Sequence, residues 1–253
     1  MLSVERQRLV LHHLRANGTG NVSDLAQALG VSSSTVRRDL TELSDRGLIT
    51  RVRGGASVES TSATESHRAR RAAEHADQKR RIGAAAAAMV RDDTTVLISG
   101  GTTTEAMLPF LADRENLTVL TNGLNVATSL ASFAGVSTVV LGGVVRAGEL
   151  SLLGPIAEHT LAQFNVDTAF CGAFGIDPDG GISGAHPLEA STDRSLLAGA
   201  GRLVVLADAT KFRQRGPVRL APAESIDTVV TDRDAPHDAV TGLKARGVDV
   251  VCV

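Results

Sequence analysis

The sequence predicts an α/β protein in two parts. A small N-terminal unit has three helices and a basic strand; in a larger domain a mostly parallel sheet is covered by helices on both faces. Three observations lead there. Between Ser23 and Arg53, two short amphipathic helical patterns flank Gly30 and are followed by an alternating strand pattern. From Lys79 onward, short β-branched runs alternate with helical stretches, the order that builds parallel sheets. Charge divides the same way: residues 1–57 hold eight Arg against five acidic residues, residues 58–81 six basic against four acidic, and the remainder twelve against nineteen. The basic end suits a polyanion, and the acidic remainder does not.

Ser3 is placed to cap a first helix through Arg15, with Val10, Leu11 and Leu14 as its apolar stripe, and Asn17-Gly18-Thr19-Gly20 ends it. Ser23 caps a second helix carrying Leu25, Ala26 and Leu29, and Gly30 suits the left-handed residue that closes it. Val31 fills the turn, and Ser32 caps a third helix with Val36, Leu40 and Leu43 on one face. The opposite face offers Ser33, Ser34, Thr35, Arg37, Arg38 and Thr41, side chains that donate to phosphates and base edges. This is a helix-turn-helix pattern, and its expected partner is double-stranded DNA. Gly47 closes the third helix. Leu48 to Arg53 then alternates as a strand, with Arg51 and Arg53 on one side before Gly54-Gly55, which makes a basic wing. With no Trp or Tyr and six Phe, stacking of bases on aromatic rings is not the expected mode of binding.

Residues 1–57 are assigned to this winged unit, 58–78 to a linker and 79–253 to the second domain. The linker is Ser, Thr, Ala and charge, read as a polar connecting helix. Its His67 and His75 lack carboxylate or Cys partners at ligand spacing, so no metal site and no cofactor are expected. Cys171 and Cys252 are too few for a disulfide framework. No positive-then-apolar leader opens the chain, and the apolar run Ala84 to Val90 is too short to span a bilayer, so the expectation is a cytoplasmic protein without membrane contact.

In the second domain the expected order is helix 79–91, strand 95–99, helix to about Leu111, strand 117–121, helix 125–132, strand 138–141 and strand 168–172 with a long Gly-rich loop. Helix 188–200, strands 203–207 and 226–231, helix 238–246 and strand 248–253 complete it. Ligands of such sheets sit at the carboxyl ends of strands. There Gly101, Thr102, Thr103 and Thr104 join a strand to a helix, glycines allowing close approach and hydroxyls donating, an arrangement that cradles phosphate; a plain tight turn looks the same. No Lys follows in P-loop spacing, which argues against a nucleotide triphosphate. Asn122 and Gly123, Arg146, Glu189 and Lys211 follow other strands and could add an amide and charges for a polar ligand. Asp177-Pro178-Asp179-Gly180-Gly181 reads as a turn and not a calcium loop. No catalytic set has supporting context.

The stretch LAQALGVSSSTVRRDLTELSDRGLITRVRGGA, followed in order by GGTTT, LTN, LGG, GPIAE and ADATKF, resembles the DeoR family of bacterial transcriptional regulators. The resemblance implies a DNA-binding repressor of a sugar-utilisation operon whose second domain senses a phosphorylated sugar; two-fold operators call for a homo-oligomer, at least a dimer, with the sheet domain as the assembly unit. The resemblance also implies a second-domain fold similar to ribose-5-phosphate isomerase. That supplies the rival expectation of a sugar-phosphate isomerase, which needs a carboxylate general base. Where such enzymes read GADE, this chain has Gly172-Ala173-Phe174-Gly175. The family's usual pattern has Asp at Phe174 and often another at Ser99, so two carboxylates are missing. The enzyme reading is weakened and the preferred sugar is put in doubt; Phe174 is either pocket wall or core.

Overall fold

The structure is a computed structural model that describes residues 3–17, 19–45, 48–52, 54–57 and 68–253. The chain divides into two compact units, 1–69 and 70–253.

In the first unit, α1 (Ser3–Asn17), α2 (Val22–Leu29) and α3 (Ser33–Asp45) bury Val10, Leu14, Leu25, Val36, Leu40 and Leu43 together. The cap of α2 is Asn21, not Ser23: the Asn21 side chain accepts from the Asp24 backbone N–H at 2.8 Å, which leaves Ser23 inside the first turn. Gly30 closes α2 in the left-handed region at φ 63, and Ser32 accepts from the Thr35 N–H to cap α3. Gly47 and Arg53 lie outside the described residues. The expected turn at Thr19 is a strand: β1 (Thr19–Asn21) and β2 (Thr50–Val52) flank β3 (Gly55–Ser57) in an antiparallel sheet. A Cβ on Gly55 would lie 2.2 Å from the Gly20 carbonyl oxygen, so only glycine lets β3 pass β1. Asp39, 1% exposed, accepts from Arg6 of α1 at 2.6 and 3.0 Å and ties α1 to α3.

The second unit is built on seven parallel strands: β4 (Thr95–Ile98), β5 (Leu117–Thr121), β6 (Val136–Val140), β9 (Thr168–Gly172), β12 (Leu203–Leu206), β14 (Thr228–Thr231) and β15 (Asp249–Cys252), in the order β15-β14-β12-β9-β4-β5-β6. Val96 and Ile98 face one core with α4 (Ala76–Ala87) and α6 (Leu124–Leu130), while Leu97 faces the other with α7 (Pro155–Leu161) and α8 (Ala190–Ala198). That explains the continuous apolar strands, since both faces are covered. α9 (His237–Ala245) adds Leu243 to the second of these cores.

Four expectations change. The 79–91 helix runs earlier, at α4. Beyond the short α5 (Thr102–Glu105) the helix to Leu111 becomes a separate 3-10 turn at Leu108–Leu111. The stretch after Gly142-Gly143 folds as a hairpin of β7 (Val144–Arg146) and β8 (Ser151–Leu153), followed by α7, which the sequence reading lacks. The Gly-rich loop after β9 holds β10 (Gly175–Asp177) and β11 (Gly181–Gly184), which pair with β13 (Val218–Ala221) in a small antiparallel sheet. These strands are three or four residues long and Gly-rich, below what periodicity detects.

Candidate functional site

In the first unit, α3 presents Ser34, Arg37, Arg38 and Thr41 to solvent, with Ser33 and Thr35 partly covered. Three of the expected donors are already engaged. The Thr35 and Ser34 hydroxyls each lie 2.8 Å from the Ser32 hydroxyl in the cap, and Thr41 donates to the Arg37 carbonyl at 2.9 Å. Arg51 reaches from β2 to donate to the Thr41 hydroxyl at 3.0 Å and the Arg37 carbonyl at 3.3 Å. The wing arginine is therefore held against α3 beside Arg37. Among the described residues, the guanidinium groups of Arg37 and Arg38 carry no ion pair, which leaves them free for an anion.

In the second unit the sheet starts at the interior strand β4, runs out to β6, returns to β9 on the other side of β4 and runs out to β15. The order reverses between β4 and β9, and the crevice beyond their carboxyl ends is the place such sheets bind ligands. The residues that follow these two strands meet there: the Gly172 N–H donates to Ser99 Oγ at 3.3 Å. Thr104 is fully buried and donates to the carbonyls of Ser99 at 2.7 Å and Gly101 at 2.8 Å, so its hydroxyl shapes the loop. Thr103 is buried and Thr102 half-buried.

Asn122 is buried as well. Its side chain accepts from the Gly100 N–H at 2.9 Å and donates to the Leu152 carbonyl at 3.4 Å, so the expected ligand amide instead joins three chain segments. Gly123 passes so close that a Cβ would lie 2.8 Å from Gly100 Cα. Arg146 on β7 forms an ion pair with Glu189, which precedes α8. Lys211 lies in the 3-10 segment Ala209–Arg213 after β12, whose cap is buried Asp208. Phe174 is 42% exposed, which excludes it from the core.

Three groups at this end of the sheet were missed by sequence reasoning. Lys79, 5% exposed, donates to the carbonyls of Arg71 and Glu74; burial lowers its pKa, Asp208 opposes that, and Lys211 and Arg71 add to it. It therefore closes the helical stretch 68–73, and Arg71 in turn pairs with Glu149 of the hairpin turn. Asp193 stands one turn after Glu189 on α8, and its pKa is pushed up to about 7 by burial, then by Glu189, with Arg146 opposing. Ser151, directly opposite Arg146 in the hairpin, is 6% exposed, and its hydroxyl has no hydrogen-bond partner among the described residues. The i,i+4 spacing of Glu189 and Asp193 was a readable signal; nothing local marks Lys79 or Ser151.

An open groove of about 900 Å³ lies elsewhere, lined by Asp177, Pro178, Phe212, Pro236 and Arg246. Its Arg246 is spent on Asp179 and Glu224, so the convergent polar groups favour the crevice.

Residues 6–62 match the model of the DeoR-like helix-turn-helix domain, and residues 74–233 that of the DeoR C terminal sensor domain. The chain belongs to the DeoR family. It is a transcriptional regulator with a DNA-binding helix-turn-helix. The chain is 34% identical to the transcriptional repressor AccR of Agrobacterium fabrum, across 90% of this chain and 89% of that one. It is 29% identical to the L-fucose operon activator of Haemophilus influenzae, across 94% and 99%. Among solved structures, ribose 5-phosphate isomerase A of Methanocaldococcus jannaschii matches 54% of each chain at 16% identity and a TM-score of 0.41. No described helix is long and apolar enough to cross a membrane.

Proposed function

We propose that this regulator represses a sugar-utilisation operon and that a phosphorylated sugar, bound in the β4/β9 crevice, controls its affinity for operator DNA. The observation that carries the effector site is the Ser99–Gly172 hydrogen bond at the strand-order reversal, which joins the GGTTT loop to the loop bearing Phe174. Gly101, Thr102 and Thr103 would take the phosphate, with Lys211 and the buried Lys79 supplying positive potential. Thr104, Asn122 and Gly123 would keep the loops in place, and Arg146 and Glu189 would border the sugar. The exposed aromatic side chain at Phe174 offers no carboxyl for proton abstraction, which supports a sensor over an isomerase. A relative's designation as an operon activator for one sugar, L-fucose, supports the ligand class but not the direction of control.

On the DNA side, Arg38 and, beyond the described residues, Arg53 would hold phosphates. Ser33, Ser34, Thr35 and Arg37 would stand nearest the base edges, with Thr41 and Arg51 as a braced pair beside them. Two-fold operators call for at least a dimer. Sugar phosphate acts only by preferring one conformation or assembly over another.

The test is anisotropy of the full chain on labelled DNA from its own upstream region at fixed salt, titrated with sugar phosphates and the unphosphorylated sugars. Release by one phosphorylated compound alone is the expected result. Tight binding that no compound changes would leave the DNA-binding role standing and remove the effector.

A further inference from the structure

Around the Arg146–Glu189 ion pair, the crevice holds two polar groups that the fold does not use. On one side Ser151 sits opposite Arg146 in the hairpin, and β8 crosses Gly123 at Ser151. Its hydroxyl is buried and has no partner among the described residues, an arrangement that costs about 1–3 kcal/mol unless something fills it. On the other side Asp193 follows Glu189 by one helical turn. Its carboxyl is held mostly away from water and, among the described residues, receives no hydrogen bond; Arg146 is spent on Glu189. The buried Cys171 thiol is pushed up to about 12 mainly by burial, with Asp193 adding to the rise. α8, which carries Asp193, packs against β9 through Leu196 and Leu197 beside Cys171.

We infer that Asp193 is the specificity-determining residue of the crevice, accepting hydrogen bonds from sugar hydroxyls of the ligand, with the Ser151 hydroxyl as a second contact. This rests on the effector reading given above. Phosphate groups are taken by glycines, threonines and lysine, which do not distinguish one sugar from another. A half-buried acceptor with no other hydrogen bond among the described residues does distinguish, because an analogue lacking the hydroxyl leaves it unpaired. Asp193 thus supplies a carboxylate to a crevice in which Ser99 and Phe174 supply none.

The experiment measures affinity by calorimetry, with the full chain, for inorganic phosphate and for a panel of phosphorylated aldoses, ketoses and polyols together with deoxy analogues. Inorganic phosphate reads the phosphate loop, and the ratio of sugar phosphate to phosphate affinity reads Asp193. The wild type should prefer at least one sugar phosphate by about tenfold or more, and Asp193→Ala should cut that ratio by about tenfold with phosphate affinity unchanged. Ser151→Ala should cut it by about threefold. The isosteric Asp193→Asn, which removes a half-buried charge that burial disfavours and so folds at least as well, should also lower the ratio. An unchanged ratio in Asp193→Asn overturns the proposal, whatever the alanine variant does. A wild type that binds phosphate but prefers no sugar overturns it while sparing the phosphate loop. Binding of no compound at all overturns the effector reading and this proposal together.

Discussion

The face of α3 and the crevice of the second unit are both polar, yet they are built in opposite ways. The α3 face comes from one continuous helix, and its arginines stand free in solvent while its core side is fixed by Leu40, Leu43 and the Arg6–Asp39 pair. The crevice is assembled from several separated segments, and some of its polar groups hold the segments together: Thr104 closes one loop, and Asn122 joins three. A helical face can therefore lose one side chain and keep its shape, whereas the crevice fails as a unit when a brace goes.

The sharpest way to break the comparison is at the braces. A Cβ at Gly123 already lies 2.8 Å from Gly100 Cα, backbone against backbone, so Gly123→Val should cost on the order of 3 kcal/mol or more and abolish ligand stabilisation in a thermal melt. Arg6→Ala strands the buried Asp39 carboxylate and should cost about 3 kcal/mol, felt in the first unit. That variant should lose DNA affinity and keep its response to ligand in calorimetry. A Gly123→Val protein that keeps full ligand response would show that the crevice is not a single assembly.

A smaller effect tests the electrostatics. Asp193 titrates from 3.8 in the unfolded chain to about 7 in the folded one, so ionising it is disfavoured by folding. Its contribution is fully present below pH 4, declines as pH rises toward 7 and is lost above. The groups facing it are Glu189, which adds to the shift, and Arg146, which opposes it; the Cys171 thiol stays protonated throughout. Asp193→Asn should accordingly match the wild type near pH 4 and exceed it by on the order of 2–4 kcal/mol at pH 8 in chemical denaturation. Parallel curves across that range would mean that Asp193 is well hydrated.

The same contrast explains what could be read from the chain. The α3 pattern, its Ser32 cap and the Gly30 turn were legible because cap, period and turn all lie within twenty residues. The parallel sheet was legible from its doubly buried strands. The cap of α2 was misplaced because Asn21 and Ser23 are equally good cap residues two positions apart, and only the entry from β1 decides between them. The hairpin β7–β8 was missed because three-residue strands have no period. Its partner contacts, to Asn122, Arg71 and Glu189, come from residues 30 or more positions away in sequence. Asn122 and Lys211 could be placed at strand ends, but whether a polar side chain there faces a ligand or a backbone carbonyl depends on loops that no local pattern specifies.

The smallest effects separate the arginines of the α3 face. Among the described residues Arg38 has no partner to lose, so Arg38→Ala should leave the melt unchanged and weaken binding to all DNA sequences alike by about tenfold, with the salt slope reduced by about 1. Thr41→Val acts indirectly. Removing the hydroxyl frees Arg51 from its 3.0 Å bond but leaves the charge in place, with the Arg37 carbonyl still within reach at 3.3 Å. The guanidinium then loses preorganisation rather than contact, so affinity should fall only about twofold to threefold and the salt slope should not move. Equal salt slopes for wild type and Arg38→Ala would remove Arg38 from the phosphate contacts. A lowered slope in Thr41→Val would show that Arg51 depends on its brace for the charge contact itself.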